Sequence, residues 1–80
     1  MNTLINKTST VFAKELWFSK DMMYVLLDDG REIGVPLAWF PRLRKATKDQ
    51  LNHWRFIGKG LGIHWDKVDE DISVETLLSF

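Results

Sequence analysis

Apolar residues in this chain come in short runs broken by Gly, Asp and Pro, never in the long 3.6-residue stripe of an extended amphipathic helix. Residues 10–18 carry Val11, Phe12, Leu16, Trp17 and Phe18, a β-branched and aromatic set that predicts a first strand. Its alternation is imperfect, which points to a bulge. Ser19, Lys20 and Asp21 read as a turn. Residues 22–27 and 31–35 predict two further strands, joined by Asp29-Gly30 as a two-residue hairpin loop in which both positions need φ > 0. That loop sets Asp28 opposite Arg31, Leu26 opposite Ile33 and Tyr24 opposite Val35. Met22, Tyr24, Leu26, Ile33 and Val35 then share the core face. Val25, Leu27, Glu32 and Gly34 fall on the other face, which is half apolar and open to a covering partner.

Past Val35 the pattern changes. Pro36 suits the first position of a helix and Pro41 pushes Phe40 out of the helical region, leaving room for about one turn between them. Trp39, Phe40 and Leu43 are placed to plug the end of the core. Thr47-Lys-Asp-Gln50 is a capping box and predicts a short helix over 48–53, with Leu51 and Trp54 inward. Residues 56–57 and 61–65 flank Gly58-Lys59-Gly60 as a second hairpin, in the register that sets Phe56 opposite Ile63. Ser73 is the best N-cap for a closing helix, with Glu75 in its first turn and Ile72 and Leu77 as a hydrophobic staple. The expected architecture is α+β: a small antiparallel sheet, made of two hairpins and an N-terminal strand, with two short helices packed on one side. A polar arm over 1–9 precedes a single domain over 10–80.

At 80 residues, 45% of them hydrophobic, the chain can form one folded domain close to the lower size limit for a single core. It has no cysteine, so disulfides and thiolate metal sites are excluded. No basic start followed by an apolar run marks a leader, and no stretch is long enough to span a membrane. The expectation is a soluble, cytoplasmic protein. The formal charge of +0 hides a segregation: residues 42–59 carry +5 and residues 66–75 carry −4. Such blocks can attract each other across the fold, or orient a charged partner.

Candidate chemistry is sparse. Gly58-Lys59-Gly60-Leu61-Gly62 lacks phosphate-loop spacing and is read as a hairpin loop. His53, His64, Asp66, Asp69 and Asp71 lack the spacing of a zinc or calcium site, and Asp69 and Asp71 are read as bonding backbone amides in the turn before the last helix. Ser73 and Ser79 have no nucleophile frame. No catalytic, cofactor or metal-binding residue is assigned. Trp39, Trp54 and Trp65 remain open between core and interface, since Trp serves both. With Arg42, Arg44 and Arg55 they would make an aromatic and basic surface suited to an acidic protein or, less readily, to nucleic acid.

The succession Asp29-Gly-Arg, Val35-Pro-Leu, Phe40-Pro-Arg-Leu, Gln50-Leu, Trp54, Gly58-Lys-Gly-Leu-Gly-Ile-His-Trp and Asp69-Glu-Asp-Ile-Ser-Val resembles the bacterial domain called "domain of unknown function 2442" over residues 12–79. The resemblance implies a small antiparallel α+β domain and no established activity. Some members continue into a helix-turn-helix, which implies a regulatory role at DNA; here the chain ends at Phe80 and that reader is not expected. Members beside a second small domain suggest a toxin–antitoxin arrangement. The expected function is therefore a protein-binding module, antitoxin-like or an accessory regulatory subunit, with Trp39, Arg42, Arg44, Arg55, Val25 and Leu27 as partner-binding residues. The partner would be a neighbouring-gene product or a second copy. The alternative is a nucleic-acid-binding regulator lacking its helix-turn-helix.

Overall fold

A computed structural model of the chain describes residues 10–79. The arm assigned to residues 1–9 lies outside them. The strands form two antiparallel three-stranded sheets rather than one. The first is a meander of β1 (Ala13–Ser19), β2 (Met22–Leu27) and β3 (Glu32–Pro36). The second is a meander of β4 (Trp54–Ile57), β5 (Gly62–Trp65) and β6 (Glu70–Ser73). Between them run a 3-10 turn (Leu37–Trp39), α1 (Pro41–Arg44) and α2 (Lys48–Leu51), and α3 (Val74–Leu78) follows β6.

The expected bulge is in β1, where pairing with β2 shifts between Ala13 and Glu15. The hairpin after β2 corrects the sequence reading by one residue. Gly30 N–H donates to the Leu27 carbonyl at 3.1 Å and Leu27 N–H to the Arg31 carbonyl at 2.8 Å. The loop is therefore Asp28-Asp29-Gly30, with Gly30 alone at positive φ (96°) among them. Val25 now pairs with Ile33 and Tyr24 with Gly34. A one-residue slip reverses every side chain of a strand. Met23, Val25 and Leu27 face the core and are almost fully buried, while Met22, Tyr24 and Leu26 turn outward.

The second sheet holds the expected register, Phe56 opposite Ile63. Residues 70–73 add the third strand, β6, where the sequence suggested only a turn. Thr47 caps α2 as a complete capping box: its hydroxyl accepts from Gln50 N–H and its own N–H donates to Gln50 Oε1. That helix ends at Leu51, and Trp54 opens β4 instead of continuing it. Pro41 begins α1 directly after Phe40, whose φ of −127° is outside the helical range. Ser73 caps α3 through the Thr76 N–H.

One core joins both sheets: Met23, Val25, Leu27 and Val35 from the first, Ile63, Trp65 and Ile72 from the second, with Phe40, Leu43, Val74 and Leu77 between. The buried Trp65 indole N–H donates to the Leu51 carbonyl at 3.0 Å, which ties the end of α2 to the second sheet. Of the loop residues expected to plug the core, Phe40 and Leu43 are buried and Trp39 is 49% exposed.

Gly60 sets how closely the sheets meet. It adopts φ +107°, and a Cβ there would lie 2.5 Å from the Ala13 carbonyl oxygen. Gly30 has positive φ too, but nothing lies within 4 Å of its would-be Cβ. Gly60→Ala should therefore cost about 3 kcal/mol or more, against about 1 kcal/mol for Gly30→Ala, which adds backbone strain alone. Equal losses in chemical denaturation would remove the Gly60–Ala13 contact from this account. Thr47→Ala should cost about 0.5–2 kcal/mol by the same measurement, and no change would mean that α2 does not depend on its cap.

Candidate functional site

A groove of about 600 Å³ opens between the sheets, lined by Leu16, Trp17, Phe18 and Lys20 on one wall and Lys48, Leu51, Asn52 and Trp54 on the other. The first wall is the C-terminal half of β1 and its turn; the second is α2 and the start of β4. Trp17 stacks on Tyr24 across the outer face of the first sheet, with centroids 5.8 Å apart and planes 16° apart. Trp54 is tilted against Phe56, with centroids at 4.9 Å. Both indoles are thus held in place before anything binds. Lys20 sits in the two-residue β1–β2 turn at φ +56°, a conformation that favours Gly or Asn. Neither Lys20 nor Lys48 has a carboxylate within ion-pair distance among the described residues, so the groove carries two uncompensated positive charges.

The residues expected to bind a partner do not form one surface. Val25 and Leu27 belong to the core, at 0% and 1% exposure, so the hairpin face assigned to a partner is the packed one. Trp39 is exposed on the 3-10 turn, with Arg42 and Arg44 following on α1. Arg42 is engaged within the fold: its Nη1 donates to the Asp69 carbonyl at 2.7 Å and lies 3.9 Å from Glu70. Arg55 lies 3.7 Å from Asp66 on the outer face of the second sheet, which β4 presents opposite to Trp54. These two pairs join the basic block to the acidic one across the fold, while Lys67 Nζ, 3.2 Å from Asp49, pairs the one base of the acidic block with the one acid of the basic block. No periodicity or motif in the sequence marks the groove. Its one signal was the adjacent pair Trp17-Phe18 on a first strand, because the first strand of a meander is an edge.

The outer face of the second sheet carries a polar row. Register places Arg55, His64 and Asp71 side by side on β4, β5 and β6. His64 Nδ1 bonds Asp71 Oδ1, and its Nε2 lies 2.9 Å from Asp66 Oδ1. The Asp71 bond, helped by the charges of Asp71 and Asp66, holds the His64 pKa above its usual value, against desolvation and the Arg55 charge. Asp71 thus bonds an imidazole rather than the turn amides suggested by the sequence. Asp69 instead takes a positive φ of 52° and offers its carbonyl to Arg42. Among the described residues no group of three or more His, Cys, Asp or Glu is arranged to hold a metal ion, and no helix is long and apolar enough to cross a membrane.

A family model described as "Protein of unknown function (DUF2442)" matches residues 13–80. A crystal structure of a protein of unknown function from Rhodospirillum rubrum superimposes with a TM-score of 0.78 at 26% identity, covering 89% of this chain and 88% of that one. No curated protein matches the chain.

The His64 row has a pH consequence. A histidine whose folded pKa is raised contributes stability that is fully present below its unfolded value of about 6.5 and is lost as pH rises through the folded value. Stability should therefore fall as pH climbs above about 6.5, and Asp71→Asn should lower the His64 titration midpoint followed by NMR. A His64 midpoint in the wild type at or below about 6.5 would contradict the assignment.

Proposed function

The chain belongs to the DUF2442 family, and from that premise we propose that it is a protein-binding module, an accessory or antitoxin-like subunit that acts by docking on another polypeptide. The observation that carries this reading is the groove between the sheets. It is concave, aromatic and preformed, with two positive charges uncompensated among the described residues at its rim. Preset indoles bury large area at low entropic cost, which is why Trp dominates interface energetics. A subunit that works by covering a partner requires such a surface and no reaction centre.

The charge distribution favours protein over nucleic acid. Of the six bases in residues 42–59, Arg42 and Arg55 are paired within the fold, so the stretch is not a continuous strip along a phosphate backbone. An acidic segment can use two lysines beside two indoles; a duplex needs more.

Lys20 offers a clean test because its backbone conformation suits glycine. Lys20→Gly should leave the protein as stable or up to about 1 kcal/mol more stable, while weakening capture of the polypeptide that the wild type retains from its host. Arg44→Glu should leave that capture intact; the reverse pattern would assign docking to the Trp39–Arg44 side. Tight binding to a random DNA duplex, falling by about 0.9 log units per log unit of salt for each neutralised phosphate, would replace this reading with the nucleic-acid one.

A further inference from the structure

Leu16, Trp17 and Phe18 are consecutive in β1, so their side chains alternate between the two faces of the sheet. Leu16 and Phe18 point to the core side, opposite Val25 and Met23, and Trp17 points outward over Tyr24. All three nevertheless line one groove. A cavity over one face of the sheet would touch Leu16 and Phe18, or Trp17, but not all three. The groove therefore runs along the edge of the strand.

That edge is the free one. The first sheet has the order β1-β2-β3, so β2 occupies one side of β1 and, among the described residues, no strand occupies the other. Pairing with β2 is regular from Leu16 to Ser19, and the bulge that bends β1 lies at its other end, beside Ala13. The half of β1 along the groove is thus regularly paired and unbulged, and an edge strand of that kind presents N–H and C=O groups to its open side.

We propose that this groove takes an extended, acidic segment of a partner protein, which adds to β1 as a fourth strand of the first sheet. The proposal rests on the groove being the docking surface. Main-chain hydrogen bonds to β1 supply affinity, and alternate side chains of the segment meet Trp17 on one face and the Leu16, Phe18 and Trp54 wall on the other. Lys20 and Lys48 call for carboxylates, since neither has one within ion-pair distance among the described residues. Single-stranded nucleic acid would also meet aromatic rings and lysines, but it would leave the strand edge without hydrogen-bond partners of matching spacing. Each indole already has a ring packed against it, which lessens the area left for stacked bases.

The test uses a dye-labelled octapeptide alternating glutamate with valine, its lysine-for-glutamate counterpart, and two versions N-methylated on one or the other alternate set of amides. Fluorescence anisotropy with the full chain should show saturable binding of the acidic peptide and at least tenfold weaker binding of the lysine peptide. N-methylation should cost roughly tenfold in one set, the one whose amides face β1, and much less in the other. Lys20→Gly combined with Lys48→Ala should weaken the acidic peptide, with unchanged unfolding confirming the fold. Backbone NMR shifts should concentrate at residues 16–19. Failure of the acidic peptide to saturate by millimolar concentration overturns the proposal, as does tighter binding of an oligothymidine or self-association that occupies the groove. If the lysine variant loses binding but both N-methylated peptides bind as well as the parent, strand addition is wrong while the groove still stands as the docking surface. If peptide binding is unaffected by the lysine variant, both fail together.

Discussion

Neither three-stranded sheet in this protein has a core of its own, and the rest of the structure follows from their sharing one. Three strands of four to seven residues bury too little on a single face to stand alone. Met23, Val25 and Leu27 of the first sheet and Ile63 and Trp65 of the second close on the same interior. Trp65 is the largest side chain fully enclosed there, and its N–H is satisfied by the Leu51 carbonyl. Emptying such a site costs about 3–5 kcal/mol, a large share of the roughly 4–12 kcal/mol that holds a domain of this size. The shared core also fixes the spacing of the sheets: they touch at Gly60 and Ala13, where a single Cβ is excluded, and the groove opens beside the other half of β1.

What was legible in the sequence were the places where one residue type answers one local demand. Thr47 with Gln50, Ser73 before α3 and Pro41 after Phe40 could each be read directly, because caps and proline geometry act over a few residues. Phe56 opposite Ile63 is instead the preferred one of the registers that the loop glycines fix only weakly. β2 could not be read in this way. Met22-Met-Tyr-Val-Leu-Leu is apolar or aromatic at every position, so its periodicity selects no face. The choice then rested on whether the loop after it held two residues or three, and one residue reversed the strand. That error moved Val25 and Leu27 from the core to a supposed partner surface. β6 escaped for the opposite reason: in a four-residue strand of Glu70, Asp71, Ile72 and Ser73, only Ile72 is buried, and the acids read as a turn.

The charge blocks show how composition misleads when it is taken as a surface. Residues 42–59 carry a +5 stretch that suggested one basic face. Folding distributes it: Arg42 bonds the carbonyl of Asp69, Arg55 faces Asp66 beside His64, and Lys48 stands at the groove. Exposed pairs of this kind add little to stability, about 0–1 kcal/mol each. Their effect is to engage Arg42 and Arg55 within the fold and leave the other bases, Lys48 at the groove among them, without an ion pair among the described residues. The polar row of Arg55, His64 and Asp71 satisfies its own charges, whereas Lys20 and Lys48 have no such partner among the described residues.

Several departures from local rules meet at the groove. An open strand edge invites unwanted pairing, and proteins blunt such edges with bulges, charges or a covering element. Here the bulge is at the far end of β1, and the covering element, α2, stands off by the width of the groove. The turn that closes β1 onto β2 places Lys20 in a left-handed conformation that glycine would adopt without strain. Nothing in the packing of the first sheet requires a lysine there. A strand edge unpaired among the described residues, a strained lysine and two preset indoles each carry a cost or a hazard for the chain. They converge on one cavity, and a bound extended segment would give all three a use at once: pairing the edge, neutralising the lysine and covering the rings.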